Sequence, residues 1–88
     1  MAFEILFLEK AANELGKLDK PIKERAKKEI GALALNPEKG KHLMHCNFWS
    51  LRIGDYRAIY EIKKESQKII VLHVGHRKNV YDDFTKLF

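Results

Sequence analysis

Hydrophobic residues change their spacing early in the chain. Phe3, Ile5 and Phe7 are separated by single residues, which is the period of a strand buried mainly on one face. From Leu8 onward the spacing becomes that of a helix, until residues 16–19 weaken the pattern. The apolar positions of this predicted first helix are Leu8, Ala11, Ala12, Leu15 and Leu18.

A second amphipathic pattern begins at Pro21, whose fixed φ and missing N–H suit the first turn of a helix. Charged residues over 23–29 occupy the opposite side, so this basic run reads as a solvated helix face. We expect Asn36-Pro37 to close the helix. Its apolar line consists of Ile22, Ala26, Ile30 and Leu33.

Strand patterns dominate the second half of the chain. Segments 48–53 and 56–63 flank Gly54-Asp55, which favours a tight hairpin turn, and the apolar run within 68–74 predicts a third, interior strand. Residues 79–88 return to helical spacing.

These elements predict an α+β domain with the order β-α-α-β-β-β-α. Because two helices lead back and forth between strands, we expect the second strand to run antiparallel to the first. The prediction is one domain over residues 1–88: a four-stranded antiparallel sheet with a helical hairpin packed on it and a C-terminal helix.

Composition narrows the class of protein. The 88 residues include 17 Lys and Arg against 12 Asp and Glu, and they are too few for a large nucleotide-binding or doubly wound enzyme fold. No apolar run approaches the length of a membrane span, and no signal peptide is recognisable, so we expect a soluble, cytoplasmic protein. The formal charge of +5 fits either a polyanionic partner or simple solubility.

The spacing of the histidines and the single cysteine offer little support for a metal site or a reactive thiol. His42 and His45 form one H-x-x-H pair, and His73 and His76 form another, but residues three apart on a strand point to opposite faces. Cys46 has no evident source of a lowered thiol pKa and reads as a small buried hydrophobic residue. We expect no metal site and no cofactor.

Most of the excess positive charge lies in residues 41–88, which hold nine basic and five acidic residues. In an antiparallel meander, Arg57 and Arg77 lie at one end of the sheet, with Tyr81 close behind. Two guanidinium groups can bind a phosphate and lower the pKa of a neighbouring tyrosine, which could then take a proton from a ribose 2′-OH. From the residues alone, a structural role remains open, in which the arginines pair with Glu61, Asp55, Asp82 or Asp83 and Tyr81 packs on its helix.

Two segments resemble the RelE/ParE superfamily of toxin–antitoxin toxins, in particular RelE-like proteins. They are W-S-L-R-I-G-D-Y-R-A-I-Y at 49–60 and V-L-H-V-G-H-R-K-N-V-Y at 71–81. The predicted element order is that of this superfamily. The resemblance implies a metal-independent endoribonuclease that enters the ribosomal A site and cuts mRNA by attack of a ribose 2′-OH on the adjacent phosphate. It also implies a RelB-like antitoxin as partner, in a hetero-oligomeric complex.

The same resemblance assigns roles to individual residues. Arg57 and Arg77 correspond to arginines that stabilise the phosphate in the transition state, Tyr81 corresponds to the proposed general base, and Arg52 is expected to contact RNA. Phe48 and Ser50 stand where well-studied members carry lysines, so the proton donor to the leaving oxygen is unassigned. His76 and Lys78 are the candidates to replace it and to bind RNA.

Two other functions stay open at this point. One is a non-catalytic toxin of the ParE kind that inhibits DNA gyrase. The other is a catalytically weak member whose main activity is binding its antitoxin.

Overall fold

The computed structural model describes residues 2–43 and 47–78. They form an α+β fold with one mixed sheet and two α-helices. The helices are α1 (Glu9–Gly16) and α2 (Lys20–Gly31), and the strands are β1 (Glu4–Phe7), β2 (Lys41–His42), β3 (Phe48–Ile53), β4 (Tyr56–Lys63) and β5 (Lys68–His76).

The sheet has five strands in the order β1-β5-β4-β3-β2. Strands β2 to β5 form an antiparallel meander, whereas β1 pairs with β5 in parallel. The predicted interior position of β5 is confirmed, since it lies between β1 and β4. The bounds predicted for the two strands of the central hairpin, β3 and β4, are also confirmed.

The predicted four-stranded, wholly antiparallel sheet is wrong in the number of strands and in their directions. Sequence reasoning missed β2, a strand of only two residues that lies antiparallel to β3. The chain does return from the helices antiparallel to β1, but it does so as β2 and then reverses once more. Consequently β3 runs in the same direction as β1, and the sheet is mixed.

Both helices pack on one face of the sheet, as the apolar spacing predicted. Ala11 and Leu15 of α1 are buried together with Ala26 and Ile30 of α2, against side chains from the strands. Three features of the prediction need correction. Leu8 is 47% exposed and Ala12 is also exposed, so neither enters the core. Helix α2 ends at Gly31, followed by short 3₁₀ turns at Ala32–Ala34 and Pro37–Lys39.

A β-bulge interrupts the pairing of β4 with β5. Ile59 pairs with His73, and the next residue, Tyr60, pairs with Val71, so Leu72 is the extra residue on β5. Before the bulge, Val71 faces the helices; after it, Val74 does so. The bulge therefore shifts by one residue which side chains of β5 enter the core.

The predicted C-terminal helix over 79–88 lies outside the described residues. Within residues 2–43 and 47–78, no helix has the length and apolar character needed to cross a membrane.

Candidate functional site

Arg52 and Arg57 occupy directly opposed positions on β3 and β4. Gly75 of β5 is the next residue in the same cross-strand row. Opposed residues of an antiparallel pair project from the same face, so both guanidinium groups emerge from the face opposite the helices.

Polar contacts connect both arginines to the hairpin. Nη1 of Arg57 lies 3.5 Å from the hydroxyl oxygen of Ser50, a residue that is only 1% exposed. Nε of Arg52 donates to the carbonyl oxygen of Gly54 in the β3–β4 turn, at 3.3 Å. Gly54 has a φ of +61°, the left-handed conformation that a glycine adopts without steric cost.

Arg77 follows β5 at the same end of the sheet as the β3–β4 turn. Its backbone N–H donates to the carbonyl oxygen of Asp55 at 2.8 Å, which ties the end of β5 to that turn. Its Nε also lies 3.9 Å from Oδ1 of Asp55, with both side chains more than half exposed. Such a pair contributes little to stability and leaves the guanidinium accessible to a ligand. The pairing with Asp55 was one of the alternatives left open by the sequence.

His76 and Lys78 lie near this end but differ in placement. His76 pairs with Tyr56, one residue before Arg57, so it projects toward the helix side of the sheet. The two rings meet edge to face, with centroids 5.4 Å apart. Nδ1 of His76 accepts the backbone N–H of Lys78 at 3.2 Å, and the side chain of Lys78 is exposed. The structure thus separates His76 from the arginine face.

Several other predicted residues lie elsewhere or outside the described part of the chain. Tyr81, His45 and Cys46 lie outside it. His42 packs on the ring of Trp49, with centroids 4.9 Å apart. Nδ1 of buried His73 lies 2.9 Å from Oε1 of Glu14 on α1. The two histidines of the second H-x-x-H pair therefore contact different elements, His73 the helix α1 and His76 the neighbouring strand β4.

A cleft of about 320 Å³ opens at the β3 edge next to the arginine pair. The sequence analysis did not identify the part of the cleft wall that is contributed by residues just before β2 and within it. The only signal for it was Lys41 itself, a lysine two residues after Lys39 in a segment that carried no strand pattern. The cleft is lined by Glu29, Lys39, Gly40, Lys41, Ser50, Leu51, Arg52 and Arg57.

Tyr60 fixes the wall of this cleft from inside the core. Its hydroxyl donates to the carbonyl oxygen of Pro37 at 2.7 Å and accepts the backbone N–H of Gly40 at 3.1 Å. Burial raises the pKa of Tyr60, the hydrogen bond from Gly40 opposes this, and the charge of Glu38 raises the pKa further. The phenol is therefore neutral at physiological pH and serves as a structural donor and acceptor.

The positive charges at this end of the sheet favour the binding of an anion. Arg52, Arg57 and Arg77 are fixed cations at every physiological pH. Planar guanidinium groups match the geometry of phosphate oxygens and bind them with charge-assisted hydrogen bonds. Donors held in place by a sheet can also stabilise negative charge that develops on phosphate oxygens during a reaction.

Comparison with known proteins gives a consistent result. Residues 5–81 match the family described as the ParE toxin of type II toxin–antitoxin systems. The mRNA interferase toxin RelE of Escherichia coli K12 is 29% identical over an alignment of 92 positions, which covers 98% of this chain and 97% of that protein.

Solved structures agree with this assignment. A mutant of the E. coli toxin RelE in the free state superposes with a TM-score of 0.79 at 28% identity, covering 100% of this chain and 99% of that one. A chain of the RelBE2 toxin–antitoxin complex of Mycobacterium tuberculosis gives a TM-score of 0.78 at 30% identity, covering 88% of this chain and 100% of that one. The chain belongs to the ParE toxin family of type II toxin–antitoxin systems and is a RelE-like member of it.

Proposed function

We propose that this toxin is a ribosome-dependent mRNA endonuclease that inhibits translation. The observation that carries the proposal is the opposed pair Arg52 and Arg57, with Arg77 at the same end of the sheet. Three cations around one end of a sheet suit an RNA phosphate better than a neutral ligand. The full-length similarity to the E. coli mRNA interferase toxin RelE supports the same reaction.

The reaction is an internal transfer at phosphorus. The ribose 2′-oxygen attacks the adjacent phosphorus and loses its proton, while the bond from phosphorus to the 5′-oxygen breaks. The leaving 5′-oxygen takes up a proton from water, so the products are a 2′,3′-cyclic phosphate and a 5′-hydroxyl. Arg57 and Arg77 stabilise the additional negative charge on the phosphate oxygens, Arg52 holds the RNA backbone, and Tyr81 accepts the 2′ proton.

We propose a RelB-like antitoxin as the partner that controls this activity. Similar chains were solved in toxin–antitoxin complexes, namely RelBE2 of M. tuberculosis and RelBE of E. coli. An acidic antitoxin segment suits the basic surface around Arg52 and Arg57. Co-expression with the neighbouring antitoxin gene should yield a tight complex that no longer cleaves mRNA.

Cleavage on programmed ribosomes tests the proposal. The wild-type toxin should cut mRNA in the A site, and Arg57→Ala should slow cleavage by about 100-fold or more because one donor to the transition state is lost. Tyr81→Phe should also slow cleavage, since phenylalanine has no oxygen that can accept the 2′ proton. Lys27→Ala is the matched control, because Lys27 is an exposed cation on α2, on the other side of the sheet. Intact mRNA in the presence of folded wild-type toxin would reject the endonuclease function.

Inhibition of DNA gyrase is the second candidate, because the matched family is described as the ParE toxin. A supercoiling assay separates the two functions. We expect the toxin to leave gyrase activity unchanged at concentrations that block translation. Loss of supercoiling together with intact mRNA would favour the ParE-like function instead.

A further inference from the structure

We infer that Lys41 adds a further cation beside Arg52 and Arg57 and contacts the phosphate that is cleaved. The inference rests on the proposed endonuclease function. In the sequence, neither Phe48 nor Ser50 provides a positive charge on the strand before the turn. In the structure, Lys41 is the direct cross-strand partner of Ser50.

The pairing places Lys41 on the same face as the arginines. Directly opposed residues of an antiparallel pair share a face, with Cβ atoms about 4.5–5.5 Å apart, and diagonal neighbours lie about 7–8 Å apart. Lys41 is therefore a neighbour of Ser50 across the strand and of Arg52 on the diagonal. Nη1 of Arg57 lies 3.5 Å from the Ser50 hydroxyl, on the other side of the same residue. A lysine side chain reaches across this spacing.

Burial explains why the cation comes from β2. Ser50 is 1% exposed, so a long charged side chain at that position has no room without displacing its neighbours. Lys41 lies on the outermost strand and is exposed. Its ammonium reaches the cleft from the side, where water and ligand have access.

The two lysines of the cleft differ in their partners. Nζ of Lys39 lies 3.1 Å from Oε2 of Glu29, so its charge is neutralised within the protein. Among residues 2–43 and 47–78, no carboxylate forms such a salt bridge with Lys41. Of these two lysines, Lys41 is the one whose charge is available to an incoming phosphate.

The backbone before Lys41 is held firmly enough to direct its side chain. Tyr60 bonds both Pro37 and Gly40, the latter being the residue immediately before Lys41. Gly40 itself is in close contact with β3: a Cβ there would lie 2.7 Å from the Ser50 carbonyl oxygen and 2.7 Å from the Tyr60 hydroxyl. The start of β2 therefore has one position relative to β3, and Lys41 is presented at a fixed place.

Single-turnover cleavage on programmed ribosomes, over a range of toxin concentrations, tests this role. Lys41→Ala should lower the maximal rate constant by about 10- to 100-fold, the effect of one charged hydrogen bond, while the half-saturating toxin concentration changes little. Lys41→Arg should keep the rate within a few-fold of wild type, because it preserves the charge. Lys27→Ala should match wild type in both parameters.

Two results would overturn the inference. One is an unchanged maximal rate for Lys41→Ala while Arg57→Ala is inactive, whether or not half-saturation shifts; the endonuclease function would then stand without Lys41. The other is a wild-type protein that cuts no mRNA, which rejects the function and this role together. Thermal unfolding of Lys41→Ala is compared with that of the wild type, and an unchanged melting temperature shows that the loss of rate does not come from loss of fold.

Discussion

Arg52 and Arg57 are direct cross-strand partners, although each carries a fixed positive charge. Like charges at opposed positions of a sheet repel each other and reduce stability. The pair therefore costs the free toxin some folding free energy, and a bound phosphate removes that repulsion. This is the arrangement expected where a sheet is adapted to binding and not only to stability.

Replacing one member of this pair should stabilise the free protein. We expect Arg52→Gln to raise the free energy of unfolding by about 0.2–1 kcal/mol at low salt. The gain should shrink in about 1 M salt, where the screening length falls to about 3 Å. Urea unfolding at both salt concentrations measures it, with Lys27→Gln as the control for loss of net charge. A destabilised variant at low salt would contradict the repulsion argument.

Removing the hydroxyl of Tyr60 should destabilise the fold. Tyr60→Phe leaves the Pro37 carbonyl and the Gly40 N–H without their partner, at a cost of about 1–3 kcal/mol. For a domain of this size, each kcal/mol lowers the melting temperature by about 4–8 °C. Thermal unfolding followed by circular dichroism measures the loss. Tyr56→Phe is a matched control, and an equal effect of both variants would argue against the Tyr60 hydrogen bonds.

The same residue predicts a dependence of stability on alkaline pH. Burial, the first cause, raises the pKa of Tyr60 in the folded protein above its ordinary value of 10.0. Its contribution to stability is therefore fully present below pH 10 and is lost as the pH rises through the folded-state pKa. The stability difference between wild type and Tyr60→Phe should shrink above pH 10, because only the wild type carries a hydroxyl at this position. Urea unfolding across this range checks it, and a difference that stays constant would contradict it.

Glu14 should prove important for attaching α1 to the sheet. Its Oε1 accepts the backbone N–H of buried Val74 at 3.1 Å and lies 2.9 Å from Nδ1 of His73. We expect Glu14→Ala to lower the free energy of unfolding by about 1–3 kcal/mol, because a buried donor loses its acceptor. Glu14→Gln retains an oxygen for Val74 and should cost less.

Exposed Glu24 on α2 provides the control for this experiment. Glu24→Ala should change stability by no more than about 0.5 kcal/mol. Urea unfolding of the three variants ranks them. Equal losses for Glu14→Ala and Glu24→Ala would show that the contact with β5 does not stabilise the fold.

The elements with long periodic patterns could be predicted from the sequence. The hairpin strands β3 and β4 have the expected bounds because alternation and a Gly-Asp turn mark both of their ends. Strand β2 could not be predicted, because two residues carry no period. Missing it reversed the inferred direction of β3, since every later strand direction depends on counting each reversal of the chain.

The candidate site, like the fold, could be predicted from the sequence only in part. The sequence placed Arg57 and Arg77 at one end of the sheet, and both lie beside the β3–β4 turn. The sequence did not show that His76 and Arg57, neighbours across β4 and β5, project from opposite faces of the sheet. That difference depends on the register of β4 against β5. Lys41 was missed for a related reason: its position beside Ser50 depends on a pairing that only the folded chain contains.

The bulge at Leu72 has a consequence for how the length of this chain can vary during evolution. The extra residue lies between the pairs Tyr60–Val71 and Ile59–His73, so its removal leaves both pairs and all later ones in place. A chain without Leu72 would keep the bond from Arg77 to Asp55 and the core position of Val74, and would lose only the bulge. A one-residue deletion in β5 can therefore be absorbed by loss of the bulge, and we expect relatives to differ in length there as well as in the exposed turn at 64–67.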